Sequence, residues 1–324
     1  MNPSQNDFMI GTHRISMRVV PVLAVMALAY TGCSSFVATP AARAPIAQAQ
    51  APALRHAGGS QDLYIGNILG GVLLYSRGKS PHEVGDINNM LPRVTGVWVD
   101  PAGNLYAFSD NRNRPYETIE EFRPGAQSPY FSLVLQHYGS LVAADAQQNV
   151  YAQGSNSQGQ QVIDVYPPGS QSYENEYVVP SIGRLSGIQG MAFDSTGALL
   201  VGVAAMVSNP QGQIGAVLRL DVNSGKFVNL NLQKADGGLI ATDATGNLYV
   251  GGGNRVSIYA PGATSPSRVV HAKDTIVTLT AAPDGTLYVD TYNGGIAVYA
   301  PGKERAKDSF IPQAQVSGLA LGPG

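Results

Sequence analysis

The chain has few charged side chains, little net charge and a single cysteine. Charged residues make up 13% of the 324 residues, about half the share in an average globular domain. The 20 basic and 22 acidic residues nearly cancel, so the chain lacks the basic face that nucleic-acid binding requires. One cysteine, Cys33, excludes a disulfide framework and a cysteine-based zinc site.

Glycine and apolar residues are abundant instead. The sequence has 38 glycines and 21 prolines, and 44% of its residues are hydrophobic. This composition allows a large core and favours many short strands joined by tight turns over helices.

The N-terminal region has the features of a secretory leader. Arg14 and Arg18 precede an uncharged stretch, Val19–Tyr30, which is shorter than the roughly 20 residues of a membrane span but matches a signal-peptide core. The stretch ends in Tyr-Thr-Gly-Cys33, which resembles a bacterial lipobox. Tyr30 departs from the motif, which usually has an aliphatic residue there. The resemblance implies cleavage after residue 32 and a diacylglyceryl group on the Cys33 thiol.

Two other interpretations of Cys33 stay open: a buried core thiol, and plain secretion with cleavage at another site. Its position between an apolar run and a Pro/Ala-rich stretch favours lipidation. Acyl chains bind a membrane through buried methylenes worth about 0.8 kcal/mol each. The absence of Asp after Cys33 resembles the outer-membrane sorting pattern, so we predict a lipid-anchored protein of the cell envelope, at the outer membrane if there are two membranes.

Residues 33–61 have proline and alanine spread through them without alternation or a helical stripe, which predicts a flexible, partly stiff spacer. The predicted domains are therefore a signal peptide (1–32), this linker (33–61) and a folded domain (62–324).

The folded domain is built from two alternating short patterns. The first is Asp-x-x-Gly-Asn-Leu-Tyr or a near copy, whose aspartates are Asp100, Asp145, Asp194, Asp243 and Asp284. Aspartate caps such a turn, glycine supplies a positive φ, and Leu-Tyr begins a strand. The second pattern is an apolar-aromatic pair followed by Pro-Gly, as at Tyr259-Ala-Pro-Gly262; it ends a strand, because proline cannot donate to a sheet ladder.

The spacing of these patterns predicts a six-bladed β-propeller. Successive Leu-Tyr positions (63, 105, 150, 199, 248 and 287) lie 42, 45, 49, 49 and 39 residues apart, and four-stranded blades repeat every 40–50 residues. The C-terminal stretch Val316–Gly324 aligns with the inner strand of the second unit. We therefore predict that it completes the first blade and closes the ring, with blades at 62–94 plus 316–324, 95–139, 140–186, 187–236, 237–274 and 275–315.

This stretch, 62–324, resembles the six-bladed NHL-repeat and gluconolactonase-like superfamily. The segments that carry the resemblance are Asp110-Asn-Arg-Asn113 and 290–299 (DTYNGGIAVY). Lactonase-type relatives imply one divalent metal held by carboxylates and amides in the central channel. The predicted inner strands begin without carboxylates, and the repeated aspartates fall in turns, so we predict no metal, no cofactor and no catalytic residue.

The histidines form no catalytic motif in the sequence. His137 and His271 lie near predicted crossings between blades, and His271-Ala-Lys-Asp274 is the one local candidate for a general base with an acidic partner. Trp98, among valines of an inner strand, is predicted to lie in the core or to line the channel.

Loop composition points to a binding face instead. Two connections between second and third strands are long, 110–116 (DNRNRPY) and 206–215 (MVSNPQGQIG). Arginine and tyrosine are enriched in binding hot spots. The candidate ligand-binding residues are the following: Asp110, Arg112, Arg114, Tyr116, Asn254, Asp290 and Tyr292.

The sequence thus predicts a lipid-anchored β-propeller that binds an envelope protein or small ligand, or serves as a scaffold. The alternative is a metal-dependent lactonase or lyase that uses the channel, and the resemblance is specific for fold rather than for activity.

Overall fold

A computed structural model describes residues 62–77, 80–87, 91–110, 116–208, 211–293 and 295–323, and all regular elements in these ranges are β-strands. The predicted signal peptide, the linker and Cys33 lie outside the described residues. Within the described ranges, no helix has the length and hydropathy to cross a membrane.

The described part of the chain has 24 strands. In chain order these are β1 (Leu63–Asn67), β2 (Val72–Tyr75), β3 (Glu83–Ile87), β4 (Val94–Val99), β5 (Leu105–Ser109), β6 (Thr118–Phe122), β7 (Phe131–Val134), β8 (Val142–Ala144), β9 (Val150–Ser155), β10 (Gln161–Tyr166), β11 (Asn175–Val178), β12 (Arg184–Phe193), β13 (Leu199–Ser208), β14 (Gln211–Asp221), β15 (Lys226–Asn229), β16 (Leu239–Thr242), β17 (Leu248–Gly252), β18 (Arg255–Tyr259), β19 (Arg268–His271), β20 (Ile276–Ala281), β21 (Leu287–Thr291), β22 (Gly295–Tyr299), β23 (Asp308–Phe310) and β24 (Val316–Leu321).

The strands form six antiparallel four-stranded blades. From inside to outside, blade 1 is β24-β1-β2-β3, and blades 2 to 6 take β4–β7, β8–β11, β12–β15, β16–β19 and β20–β23 in chain order. The architecture is the predicted six-bladed β-propeller.

The ring closes through the C-terminal strand, as the sequence predicted. Strand β24 pairs antiparallel with β1, with Leu63 opposite Leu321 and Ile65 opposite Leu319. The Ser317 hydroxyl also donates to the Val94 carbonyl, 2.6 Å away, and so connects the closing strand to blade 2. Closure leaves β1 without a free edge, because β1 pairs with β24 on one side and with β2 on the other.

The core lies between blades rather than within one sheet. Each of six apolar clusters joins two neighbouring blades. One example is the contact of Leu63 and Ile65 in blade 1 with Tyr288 and Ile296 in blade 6. Because both faces of a middle strand pack against a neighbouring blade, these strands are apolar almost throughout.

The repeated aspartates cap the turns between first and second strands. Asp243 Oδ1 accepts hydrogen bonds from the Thr245 and Asn247 amides, and Oδ2 accepts from Asn247 Nδ2 at 2.8 Å and the Tyr249 hydroxyl at 2.9 Å. Burial alone would raise the pKa of the Asp243 carboxyl, but these hydrogen bonds outweigh it and the pKa lies below its usual range. The Asn and Tyr side chains of the repeat therefore donate hydrogen bonds to the aspartate.

Two details of the repeat differ from the sequence prediction. In blade 6 Ala282, not Asp284, occupies the capping position, because the Ala282 amide donates to the Thr286 carbonyl as the Asp243 amide does to Asn247. The prediction of a long loop at 206–215 is also wrong. Strand β13 continues to Ser208 and β14 begins at Gln211, so the two strands form a long hairpin. Blade 4 therefore extends beyond its neighbours, whose strands have three to six residues.

Candidate functional site

The inner strands of all six blades surround a channel of about 960 Å³. Trp98 lines the channel, which is one of the two positions predicted for it. The Trp98 indole Nε1 donates to the Ala144 carbonyl at 3.0 Å. Neutral side chains such as Gln189, Thr278 and Ser317 complete the wall.

Four aspartates stand at one end of this channel: Asp100, Asp145, Asp194 and Asp243. Their oxygens already accept turn hydrogen bonds of the kind described for Asp243. In blade 4 the Arg219 guanidinium takes the place of Tyr, 2.8 Å from Asp194 Oδ2. Convergent oxygen ligands with free lone pairs are what a hard cation needs, so the lining does not support the lactonase alternative.

The opposite end of the ring carries the connections between second and third strands and between blades. We call this the loop face; the other end, with the capped turns, is the turn face. Asp110 lies on the loop face and forms an ion pair with Arg93, with 2.7 Å between Nη1 and Oδ2. Tyr116 is 58% exposed there. Arg112 and Arg114 lie outside the described residues.

The three other predicted residues come from blades 5 and 6. Asn254 is in the β17–β18 turn, where its carbonyl accepts from the Ala272 amide. Tyr292 follows β21 and is 78% exposed. Asp290, expected in a loop, lies instead within β21 and is only 5% exposed. Burial raises the pKa of the Asp290 carboxyl to about 6, against a smaller opposing effect of the Thr291 amide.

Large apolar and aromatic side chains are concentrated on the loop face. Seven of the eleven that are exposed in the described part of the chain lie there: Leu69, Tyr116, Tyr138, Met206, Ile214, Tyr292 and Ile311. The other four, Val134, Val178, Val222 and Val228, lie on outer strands or on the turn face. Tyr116 and Tyr292 are the members that sequence analysis found.

The blade 5 sector of the loop face is polar by contrast. Asp236 and Arg255 form an ion pair. The Asp274 carboxylate accepts from Asn293 Nδ2 at 2.6 Å, so it binds an amide rather than His271. We call the blade 5 part of the face the polar sector. We call the seven exposed apolar side chains from the other blades, which stand among charged pairs such as Asp110–Arg93, the apolar arc.

One cluster of chemically active side chains was missed from the sequence. His137 Nδ1 lies 2.8 Å from Asp164 Oδ2, and Nε2 lies 3.9 Å from Glu176 Oε2. No short motif connects the three residues, because they are 27 and 12 positions apart. The available signal was Asp164 itself, a carboxylate in the apolar run Val162–Tyr166 of a strand.

Comparisons with known proteins identify the fold. No family model and no curated protein sequence matches the chain. A solved Lactobacillus plantarum protein is 13% identical with a TM-score of 0.57, over 81% of this chain and 99% of that one. A Bacteroides caccae protein of unknown function is 9% identical with a TM-score of 0.57, over 82% and 99%.

Kuenenia stuttgartiensis hydrazine synthase is 15% identical with a TM-score of 0.56, over 74% of this chain and 80% of the solved chain. Identities this low establish a shared fold and no shared activity. The propeller is therefore supported, while the NHL and gluconolactonase assignment remains a resemblance.

Proposed function

We propose that the chain is a lipid-anchored binding module of the cell envelope, and that it binds a protein partner through the loop face. The observation that carries the proposal is the concentration of exposed tyrosine, leucine, isoleucine and methionine on that one face. Large apolar side chains that are exposed mainly on one face of a domain typically mark an interaction site.

The spread of these residues favours a protein over a small ligand. They come from the connections of blades 1, 2, 3, 4 and 6, so they span most of the ring. A small ligand contacts a single concave pocket, whereas a protein interface uses about 20–30 residues on each side.

The chemistry of the arc suits such an interface. Tyrosine combines a large planar surface with a hydroxyl donor and is enriched in interface hot spots. The polar sector, with the Arg255–Asp236 pair, supplies charges at its edge, where they affect partner choice more than affinity.

Photo-crosslinking in cells tests the binding face. A photoreactive phenylalanine analogue is placed at Tyr116, at Tyr292 and, as the matched control on the turn face, at Val222, which is also exposed. We expect the first two positions to crosslink to one and the same protein, identified by mass spectrometry, and the third to give no such adduct. Binding of that purified protein should then weaken in Tyr292→Glu and not in Val222→Glu.

Equal crosslinking from Val222, or adducts from none of the three positions, would overturn the proposed face. A Tyr292→Glu chain that folds and binds the purified partner as the wild type does would also count against it.

Labelling with a radioactive or clickable fatty acid tests the anchor separately. We expect incorporation in the wild type and none in Cys33→Ala. Wild-type protein that takes up no label would exclude the anchor and leave the binding face untouched.

A further inference from the structure

The three side chains of the missed cluster meet at the outer part of blade 3. His137 is in the crossing from β7 to β8, Asp164 is on β10, and Glu176 is directly opposite Asp164 on β11. One ligand atom from each residue lies within 4.8 Å of the other two. Three separate elements thus bring two carboxylates and one imidazole together.

Asp164 is buried and incompletely hydrogen bonded. The residue is 1% exposed, its Oδ2 faces His137, and its Oδ1 has no hydrogen-bond partner in the described part of the chain. A buried carboxylate oxygen without a partner is costly, because it has lost its water without gaining a donor. A cation bound by both oxygens of this carboxylate would supply the missing interaction.

The charge balance of the blade points the same way. Glu176 and Asp164 are opposite each other on neighbouring strands, an arrangement that is unfavourable for like charges. No lysine or arginine occurs in the sequence between Arg123 and Arg184, so the imidazole of His137 is the basic side chain that blade 3 itself offers to the pair.

The surroundings hold the cluster in place while leaving it accessible. The Tyr173 hydroxyl donates to Glu176 and the Tyr173 ring lies 5.9 Å from that of His137. Asn156 Nδ2 lies 3.4 Å from Glu176 Oε1. Glu176 is exposed, which gives an ion a path from solvent.

We propose that His137, Asp164 and Glu176 bind one divalent transition-metal ion of the zinc class. An imidazole nitrogen with two carboxylate oxygens suits zinc, whereas calcium and magnesium prefer oxygen ligands alone. Three protein ligands leave room for water or another molecule. The site is at the outer part of one blade, away from the central channel.

The present distances are close to those that an ion requires. Metal–ligand bonds of 2.0–2.2 Å in a tetrahedron put ligand atoms about 3.3–3.6 Å apart. One imidazole nitrogen of His137 and one carboxylate oxygen each of Asp164 and Glu176 already lie within 4.8 Å of one another, and rotation of the exposed Glu176 side chain closes the remaining gap. The backbones of β10 and β11 stay fixed by their ladder.

Zinc titration of the full chain by calorimetry tests the site. The chain carries Cys33→Ala so that the thiol does not bind zinc, and it is first treated with a chelator. We expect one zinc ion per chain, and at least a tenfold weaker association in His137→Ala and in Glu176→Gln. His271→Ala is the matched control, because His271 is another histidine next to a blade crossing, and its affinity should equal that of the parent.

Thermal unfolding with and without zinc gives a second measurement. Zinc that binds the folded state raises the melting temperature, and this increase should be absent in Glu176→Gln, an exposed substitution that leaves the core intact. The proposal is wrong if the parent chain binds no zinc, or if His137→Ala or Glu176→Gln binds as the parent does, since the ion would then be held elsewhere.

Discussion

Replacement of Asp290 by asparagine should stabilise the propeller at neutral and alkaline pH. Asp290 is paired in the sheet with Thr278 on one side and Ile296 on the other. By the alternation of β21 its side chain is on the face of Tyr288, which packs in the apolar cluster between blades 6 and 1. The charged carboxylate is therefore poorly solvated there.

The magnitude follows from the pKa. Burial raises the pKa of Asp290 from its ordinary value of 3.8 to about 6, so the folded state holds the proton more tightly than the unfolded state does. The resulting stabilisation is complete below pH 3.8 and is lost as the pH rises through about 6. One pKa unit corresponds to about 1.36 kcal/mol. Between low and high pH the wild type therefore loses up to about 3 kcal/mol of unfolding free energy that Asp290→Asn retains.

Urea unfolding followed by fluorescence of Trp98, the single tryptophan, measures the difference. We expect Asp290→Asn to exceed the wild type by about 1–3 kcal/mol at pH 8, and the difference to shrink steadily towards pH 4. Glu304→Gln, which removes an exposed carboxylate from the same blade, should show no such trend. If Asp290→Asn is no more stable than the wild type at pH 8, or if its advantage does not depend on pH, burial does not raise the pKa of Asp290 in this way.

Three further predictions, two of them with a control substitution, test the fold. Asp243→Ala should lower the free energy of unfolding by about 2–4 kcal/mol, since it removes the acceptor of several turn hydrogen bonds. Asp284→Ala removes only the acceptor for the Thr286 amide and should lower it clearly less in the same urea experiment. Deletion of 316–323 should abolish the cooperative transition in circular dichroism, because it exposes the edge of β1; a retained sharp transition would contradict closure by β24. Gly139→Ala should lower the free energy of unfolding by more than about 2 kcal/mol and weaken zinc binding, because the new Cβ would lie 1.7 Å from the Gln153 carbonyl oxygen. The Cβ of Gly187→Ala meets open space, so this control should change neither quantity.

The repeated patterns predicted the architecture because each has a local physical cause. Gly246 and Gly262, for example, have φ values of 82° and 73°, which is the left-handed conformation that turns of this type need. Turns that recur about every 40–50 residues, with hydrophobic alternation between them, predict four strands in each blade. The C-terminal strand, which has no partner in the last blade, predicts closure of the ring.

The candidate site was less predictable, because it depends on positions that the turns do not determine. Asp290 was expected in a loop, since the sequence does not show that β21 continues past it. The hairpin of blade 4 was also missed, because β13 and β14 continue through serine, glycine and glutamine, which resemble loop residues. His137 meets Asp164 only through the packing of one blade crossing against the next blade.

The pairing of β1 with β24 has a consequence for how the protein is made. Leu63 and Leu321 are neighbours in space but 258 positions apart, and contacts between such distant residues form slowly. The ribosome releases the N-terminal residues first, so five blades can assemble while the first lacks its innermost strand. Closure of the ring is therefore a late step, and until it occurs the unfinished blade is open to chaperones and to aggregation.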